Sequence, residues 1–327
     1  MKRYADISRE LKNVMVAISF LKKQQNRAGL ALHDESLMYL ELSGSLPALK
    51  VVHCVAVPSG GKGVKKDSLV DAGELLNSLT ALEKKIGGFR TPVALGLPGR
   101  DVLIRVLEMP ELEIEDAREA LRWDFEKYFP YSFADAGVDI SRVENPLEGE
   151  PGSMSLLVAA CRLRTMESLL RLAASSGIPL AAVEPQNVAM FRAGLGPATS
   201  FAGGYLAVFA ERGTTQLVLG HKDNGILYRT SLVEIAESGE GLDFSPLVRE
   251  VSNTLTFIRN QYRELEMEHV MLGGSLASDD ALLSLLQETT GLNAVRTDPW
   301  EAWGLPAPAE GAAGWDAAVG LAVRNLA

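Results

Sequence analysis

Apolar residues along the chain switch between two periods, and the switches mark out strands and helices. Residues 6–24 carry Ile7, Leu11, Val14, Ile18 and Leu21 at intervals of three and four, with Arg9, Lys12, Lys22 and Lys23 largely elsewhere; this predicts an amphipathic helix. Two apolar or alternating runs follow, 29–42 and 49–57. They are separated by Ser43-Gly44-Ser45 and read as a hairpin. The glycine- and lysine-rich stretch 59–66 lacks the Gly-Lys-Ser/Thr ending of a phosphate-binding loop and reads as a solvated loop. From Ser68 onward, Leu69, Ala72, Leu75, Leu76, Leu79, Leu82 and Ile86 form a helical stripe that ends at Gly87-Gly88. Strands are expected at 92–97 and 102–107, the latter stopped by Pro110. The acidic run 111–116 then opens a helix that Pro130 terminates, because carboxylates suit the positive end of a helix dipole.

The pattern continues with paired strands at 138–143 and 153–161, a helix at 165–176, a short strand at 180–183 and a helix from Pro185 to about Ala193. Residues 194–204 are the most linker-like segment. Beyond it the order repeats. A three-stranded meander (205–210, 216–221, 226–232) turns at Asp223-Asn224-Gly225, and a long helix covers 246–265. A buried strand at 269–272 enters Gly273-Gly274, a helix capped by Ser278 ends at Gly291, and a last helix covers 314–326. A duplicated order of hairpin then helices predicts a two-lobed α/β fold built from related halves.

Composition narrows the function. A chain of 327 residues exceeds one compact core, and 47% hydrophobic residues exclude wholesale disorder. A net charge of -10 argues against a protein that tracks nucleic-acid phosphates. Cys54 and Cys161 lie in apolar runs and read as buried reduced thiols; four isolated histidines show no ligand spacing, so no metal site is expected. No apolar stretch reaches 18 residues and no signal peptide is visible, which makes the cytoplasm the expected compartment.

Several phrases converge on a known pattern: Leu97-Pro98-Gly99 followed by Arg105 and Pro110; Ala120-Leu121-Arg122-Trp123 followed by Tyr128-Phe129-Pro130; Asp139; Val183-Glu184-Pro185 with Ala189 and Phe191-Arg192-Ala193; Met271-Leu272-Gly273-Gly274; and 319–324. In this order they resemble the PilM family of type IV pilus assembly proteins, over about residues 27–327. The resemblance implies a two-lobed actin-like (ribonuclease H-like) fold with a small inserted α+β subdomain, and kinship with FtsA, MshI and the cytoplasmic part of type II secretion L proteins. The expected organisation is an N-terminal helix (1–26), lobe one (27–199) with an insert at about 93–160, and lobe two (200–327).

An actin-type site holds phosphates between two hairpin turns, one per lobe, with a carboxylate entering each to organise magnesium. By resemblance, the first turn falls on Ala31, His33, Asp34-Glu35-Ser36 and Met38, where the family's carboxylate, glycine and lysine are replaced. In the second turn the aspartate is replaced by Phe209 and the glycine by Glu211, while Gly213, Thr214 and Thr215 survive. Gly273, Gly274, Ser275 and Glu250 fall on the adenosine side, Ser36 on the phosphate side, and Glu184 on the inter-lobe acid near the metal. The expectation is therefore a scaffold with a degenerate nucleotide site and no cofactor; the alternative is a protein that binds ATP and magnesium, as an ATPase or switch. Structural readings of the same residues stand beside these: a Gly-Gly after a buried strand is also a turn, and a Glu before Pro also caps helices. The family implies capture of the N-terminal tail of a PilN-like bitopic inner-membrane protein, alongside other platform proteins, and peripheral inner-membrane association. Arg105, Trp123, Tyr128 and Phe129 on the insert are the candidate contacts, and residues 6–24 a candidate membrane-surface helix.

Overall fold

The computed structural model describes residues 26–59, 72–145, 152–195, 201–238, 241–309, 311–324 and 326. The expected helix at 6–24, most of the loop at 59–66 and the start of the first described helix at 68–71 lie outside these. The first half runs β1 (Arg27–Leu32), β2 (Ser36–Ser43), β3 (Lys50–Pro58), α1 (Ala72–Ile86), β4 (Val93–Leu97), β5 (Val102–Pro110), α2 (Ile114–Tyr128), β6 (Ala136–Arg142), β7 (Ser153–Arg162), α3 (Leu163–Ser175), β8 (Leu180–Pro185) and α4 (Gln186–Ala193). The second runs β9 (Gly204–Ala210), β10 (Thr215–His221), β11 (Asn224–Ser231), the short pair β12 (Glu237–Ser238) and β13 (Gly241–Leu242), α5 (Ser245–Gln261), β14 (Met267–Gly273), α6 (Asp280–Thr290), β15 (Asn293–Arg296), α7 (Pro299–Ala302) and α8 (Asp316–Ala322).

Two five-stranded sheets carry the architecture. Their orders, β3-β2-β1-β4-β8 and β11-β10-β9-β14-β15, are the same order twice. In each, a three-stranded antiparallel meander is extended by two parallel strands. Central strands β4 and β9 are buried at every position, as expected where helices cover both faces of a parallel pairing. A third sheet, β5-β7-β6, with α2 laid across it, forms the insert. Ala117, Leu121 and Phe125 of α2 share one helix face and close a separate small core with Ile140, Leu156 and Val158. The two-lobed actin-like plan with an α+β insert is thus present.

Several elements differ from the sequence reading. The run 29–42 is itself a hairpin, β1 and β2, turning at residues 33–35. Alternation could not reveal the turn because both strands are nearly continuously buried. Strand β5 continues to Pro110, opposite Ser153 at the sheet's end, where a missing N–H costs little. β4 pairs with β1 and β8, so the three-stranded sheet begins at Val102. Helix α5 ends at Gln261, before Leu265. The N-cap of α6 is Asp279, whose carboxylate accepts from Leu282 N, in place of Ser278. Leu76 lies on the exposed side of α1.

The last helix, α8, follows the second sheet in the chain yet packs against β1, β2 and α4 of the first. Its residues 317–319 and 321–323 belong to the same core as Leu30, Leu40 and Leu95. Both cysteines are free; Cys161 is buried and Cys54 half-buried, and burial pushes both thiols up to about 11. Among the described residues no helix is long and apolar enough to cross a membrane.

Candidate functional site

The two hairpin turns face each other across a cleft of about 1250 Å³. On the first side, Leu32 and Leu37 are the last register pair, and His33 N donates to Ser36 O (2.9 Å) to close the turn. The turn is sewn to its surroundings. Gln186 Oε1 accepts from Leu32 N (3.0 Å), and Ser59 donates from its backbone to Glu35 O (3.0 Å) and from its hydroxyl to Asp34 O (2.6 Å). Arg100, in the turn after β4, pairs with Asp34 at 2.6 Å and is itself 7% exposed. Ser36 lines the cleft at the start of β2.

On the second side, Glu211 N donates to Thr214 O (3.0 Å), which leaves Arg212 and Gly213 at the tip with Thr214 at its base. That tip meets Asp34 of the first hairpin. Thr214 Oγ1 lies 3.5 Å from Asp34 Oδ2, and a Cβ at Gly213 would come within 3.3 Å of the same oxygen. Thr215 is fully buried in β10 and takes no part in the cleft surface. Phe209 is also fully buried, its ring against Gly273.

The loop after β14 is committed to protein contacts. Gly274 has φ +85°, and a Cβ there would lie 2.5 Å from Ala210 O, so only glycine fits. Its N–H goes to Asp316 Oδ2 (3.0 Å), and Thr297 Oγ1 donates to the other oxygen (3.1 Å). Ser275 N donates to Glu211 Oε1 (3.3 Å), while His33 Nδ1 stands 3.8 Å from that oxygen. His33, Glu211 and Asp316 therefore tie the first hairpin, the second hairpin and α8 into one cluster. Burial pushes the Glu211 carboxyl up to about 7, with Asp34 and Glu35 nearby adding to it against the hydrogen bonds of Ser275. Burial likewise raises Asp316 to about 6, and it lowers His33.

A prediction follows for pH. Glu211 titrates near its ordinary 4.5 when unfolded and at about 7 when folded. Between those values the folded chain holds the extra proton, so stability falls as pH rises across the window and levels off above it. The loss is on the order of 2 kcal/mol, from 1.36 kcal/mol per pH unit discounted for partial exposure. Glu211→Gln mimics the protonated form. Urea melts are expected to show it more stable than wild type by that amount at pH 8 and indistinguishable at pH 4; equal stability at pH 8 contradicts the assignment.

Two other expected site residues lie outside the cleft lining. Glu184 is buried at the end of β8 and ion-paired with Arg192 of α4 and, at 3.0 Å, with Arg324 after α8. Glu250 on α5 pairs with Arg229 (3.4 Å), whose guanidinium sits over Phe257. Arg100, Gln186 and Asp316 were missed by sequence reasoning. Arg100 adjoins the quoted Leu97-Pro98-Gly99 turn, and nothing local marks the other two.

On the insert, Trp123 is 85% exposed and Tyr128 40%. They stand five positions apart on α2, about 140° around the helix, and so do not share a face. Arg105 is exposed on β5. Phe129 corrects the expectation: it is buried, stacked on Phe125 at 4.5 Å, and belongs to the insert's core.

The sequence profile of the family described as type IV pilus assembly protein PilM matches residues 29–194, half of the chain. The chain belongs to the PilM family. The matched span holds the first sheet, the insert and α4, and so the whole first wall of the cleft. Among solved structures, a PilM-PilN type IV pilus biogenesis complex is similar at a TM-score of 0.74, with 22% identity over 92% of this chain and 98% of that one. The cytoplasmic domain of EpsL, an inner-membrane component of the type II secretion system of Vibrio cholerae, is similar at a TM-score of 0.48, with 11% identity over 76% of this chain and 81% of that one. A Bacteroides thetaiotaomicron protein with an actin-like ATPase fold also has a TM-score of 0.48, with 11% identity over 85% of this chain and 95% of that one. No curated protein matches.

Proposed function

We propose that this PilM-family protein is a cytoplasmic actin-like scaffold of an inner-membrane pilus assembly platform, docking the N-terminal tail of a PilN-like membrane protein through its insert. The observation that carries the reading is Asp34. It occupies the space between the hairpin tips, held by Arg100 on one side and Thr214 on the other. A triphosphate seated there would face Asp34 and Glu35 at short range, and Glu211 as well once its carboxyl ionises above about 7. Each like-charge contact near 4 Å opposes binding by about 4 kcal/mol at intermediate dielectric. The positions that by resemblance would carry the magnesium-organising carboxylates hold Ala31 and Phe209, both buried and apolar, and neither can ligate a cation. Association with the membrane then comes through the partner. The PilM-PilN complex whose fold this chain shares supports that partner class. On the insert, Trp123 is the exposed aromatic anchor, and such residues dominate recognition energy.

The cleft's volume favours one second reading, a nucleotide-regulated switch. One titration separates the two. A synthetic PilN-type tail is expected to bind the full chain, with affinity about 30-fold weaker for Trp123→Ala. Magnesium and ATP are expected to leave that affinity unchanged and to shift Tm by under about 1 °C. Equal binding by both proteins removes Trp123 from the docking face, and a shift of many degrees supports the switch.

A further inference from the structure

We propose that the outward face of α2, an acidic stripe centred on Trp123, receives the basic, membrane-proximal stretch of the partner's tail. This inference rests on the docking proposed above and names the chemistry of the segment that docks. Trp123 lies opposite the buried Ala117-Leu121-Phe125 face of α2 and is 85% exposed. Asp116, Glu119 and Glu126 stand seven and four positions before it and three after, within about 60° of it around the helix. All three are exposed. Asp116 and Glu126 have no ion-pair partner among the described residues, and Glu119 has only the exposed Arg122 at 3.4 Å. Lys127, on the same side of the helix, is taken by Asp124 at 2.7 Å. The stripe therefore offers unbalanced negative charge around an apolar anchor.

The charge of the occupant follows from both surfaces. Between Val102 and Arg162 thirteen acidic residues face six basic ones, a net charge of -7 out of -10 for the whole chain. A bitopic inner-membrane protein carries the opposite excess, Lys and Arg on the cytoplasmic side within about 15–20 residues of its span. A short cytoplasmic tail consists of little besides that stretch. Opposite potentials therefore meet when the tail docks on the insert, which speeds encounter and fixes orientation. The same negative charge repels an anionic lipid surface, so this face suits a basic peptide better than a bilayer. The other exposed apolar side chains lack this setting. Leu46 and Val52 flank Lys50, and Phe257 lies under Arg229.

Fluorescence anisotropy of a labelled synthetic PilN-type tail, carried through to its membrane-proximal residues, tests this on the full chain. Replacing every Lys and Arg of the peptide by Gln is expected to weaken binding about tenfold or more at about 0.1 M salt. Glu119→Lys with Glu126→Lys in the protein is expected to weaken binding of the unaltered peptide about tenfold, chiefly by slowing association. Asp116 is left in place because it sits in the positive first turn of α2. At about 1 M salt, where the Debye length falls from about 10 Å to about 3 Å, both losses shrink to under about twofold. The matched reversal Glu83→Lys with Glu288→Lys, at exposed positions of α1 and α6, leaves affinity within about twofold of wild type. A tail that fails to bind the wild-type chain defeats the docking reading and this inference together. Equal affinity of the Glu119/Glu126 variant and wild type, equal affinity of the two peptides, or an equal loss from the reversal on α1 and α6 overturns this inference alone. So does a wild-type dimer that Trp123→Ala dissolves, which assigns the face to a second copy. Sedimentation with phosphatidylserine vesicles that Trp123→Ala abolishes overturns it as well, by assigning the face to lipid.

Discussion

Gly320→Ala is expected to destabilise the protein by about 3 kcal/mol or more, although the same change in an exposed helix stabilises by about 1 kcal/mol. Two effects of opposite sign meet at this residue, and the contact geometry decides between them. Gly320 lies in the middle of α8, where alanine is the better helix former. A Cβ there would stand 1.8 Å from Ala189 O and 2.4 Å from Ala189 C on α4. Both are backbone atoms of a buried helix, so no flexible side-chain end can move aside. Gly29 of β1 is also tight, with a Cβ meeting Ala318 O of α8 at 2.4 Å. α8 can accommodate an added methyl only by lifting off the first lobe. Urea denaturation checks this, and a variant as stable as wild type would show that α8 does not sit against α4 as described.

The second large effect is expected at Glu184. Glu184→Ala leaves Arg192, 17% exposed, without its buried counter-charge and removes the anchor of Arg324, 39% exposed. Breaking a buried pair on one side costs 3–5 kcal/mol; the partial exposure of Arg324 puts the expectation at the lower end, about 3 kcal/mol. Arg192 also donates to Gly320 O (2.9 Å), so the ion cluster and the glycine contact fasten the same joint. The double variant is therefore expected to lose less than the sum of the singles. A loss under about 1 kcal/mol in urea melts of Glu184→Ala would reject this structural role. Under the proposed function, magnesium and ATP leave the variant's response the same as that of wild type.

These residues show how the joint relates to the motifs. The phrase holding Glu184 and Arg192 and the phrase around Gly320 lie far apart in the chain, yet they converge where α8 returns to the first lobe. The expectation of a metal-side acid came from the position of Glu184 alone. Its side chain is instead consumed by two arginines, one of them supplied by the end of the chain. The same holds at Gly273-Gly274, whose smallness is used against Phe209, Thr297 and Ala210.

By itself the sequence determined the elements and their repetition. Periodicity separates strands from helices, and glycine, proline and acidic runs punctuate them because these effects act within a few residues. The acidic first turn at Asp34-Glu35 and the family phrases were legible there; Trp123 falls off the apolar stripe of α2 in the sequence, but its exposure was decided by the structure. Only the tertiary structure decided which side chains meet. It placed Thr214 on Asp34, Ser275 on Glu211 and α8 on the first lobe, and it sent Phe129 into the insert's core. Such pairings are set by how two sheets, an insert and a returning helix pack in three dimensions. They join residues as far apart as Asp34 and Thr214 or, where α8 meets β1, Gly29 and Ala318, and no local pattern encodes them.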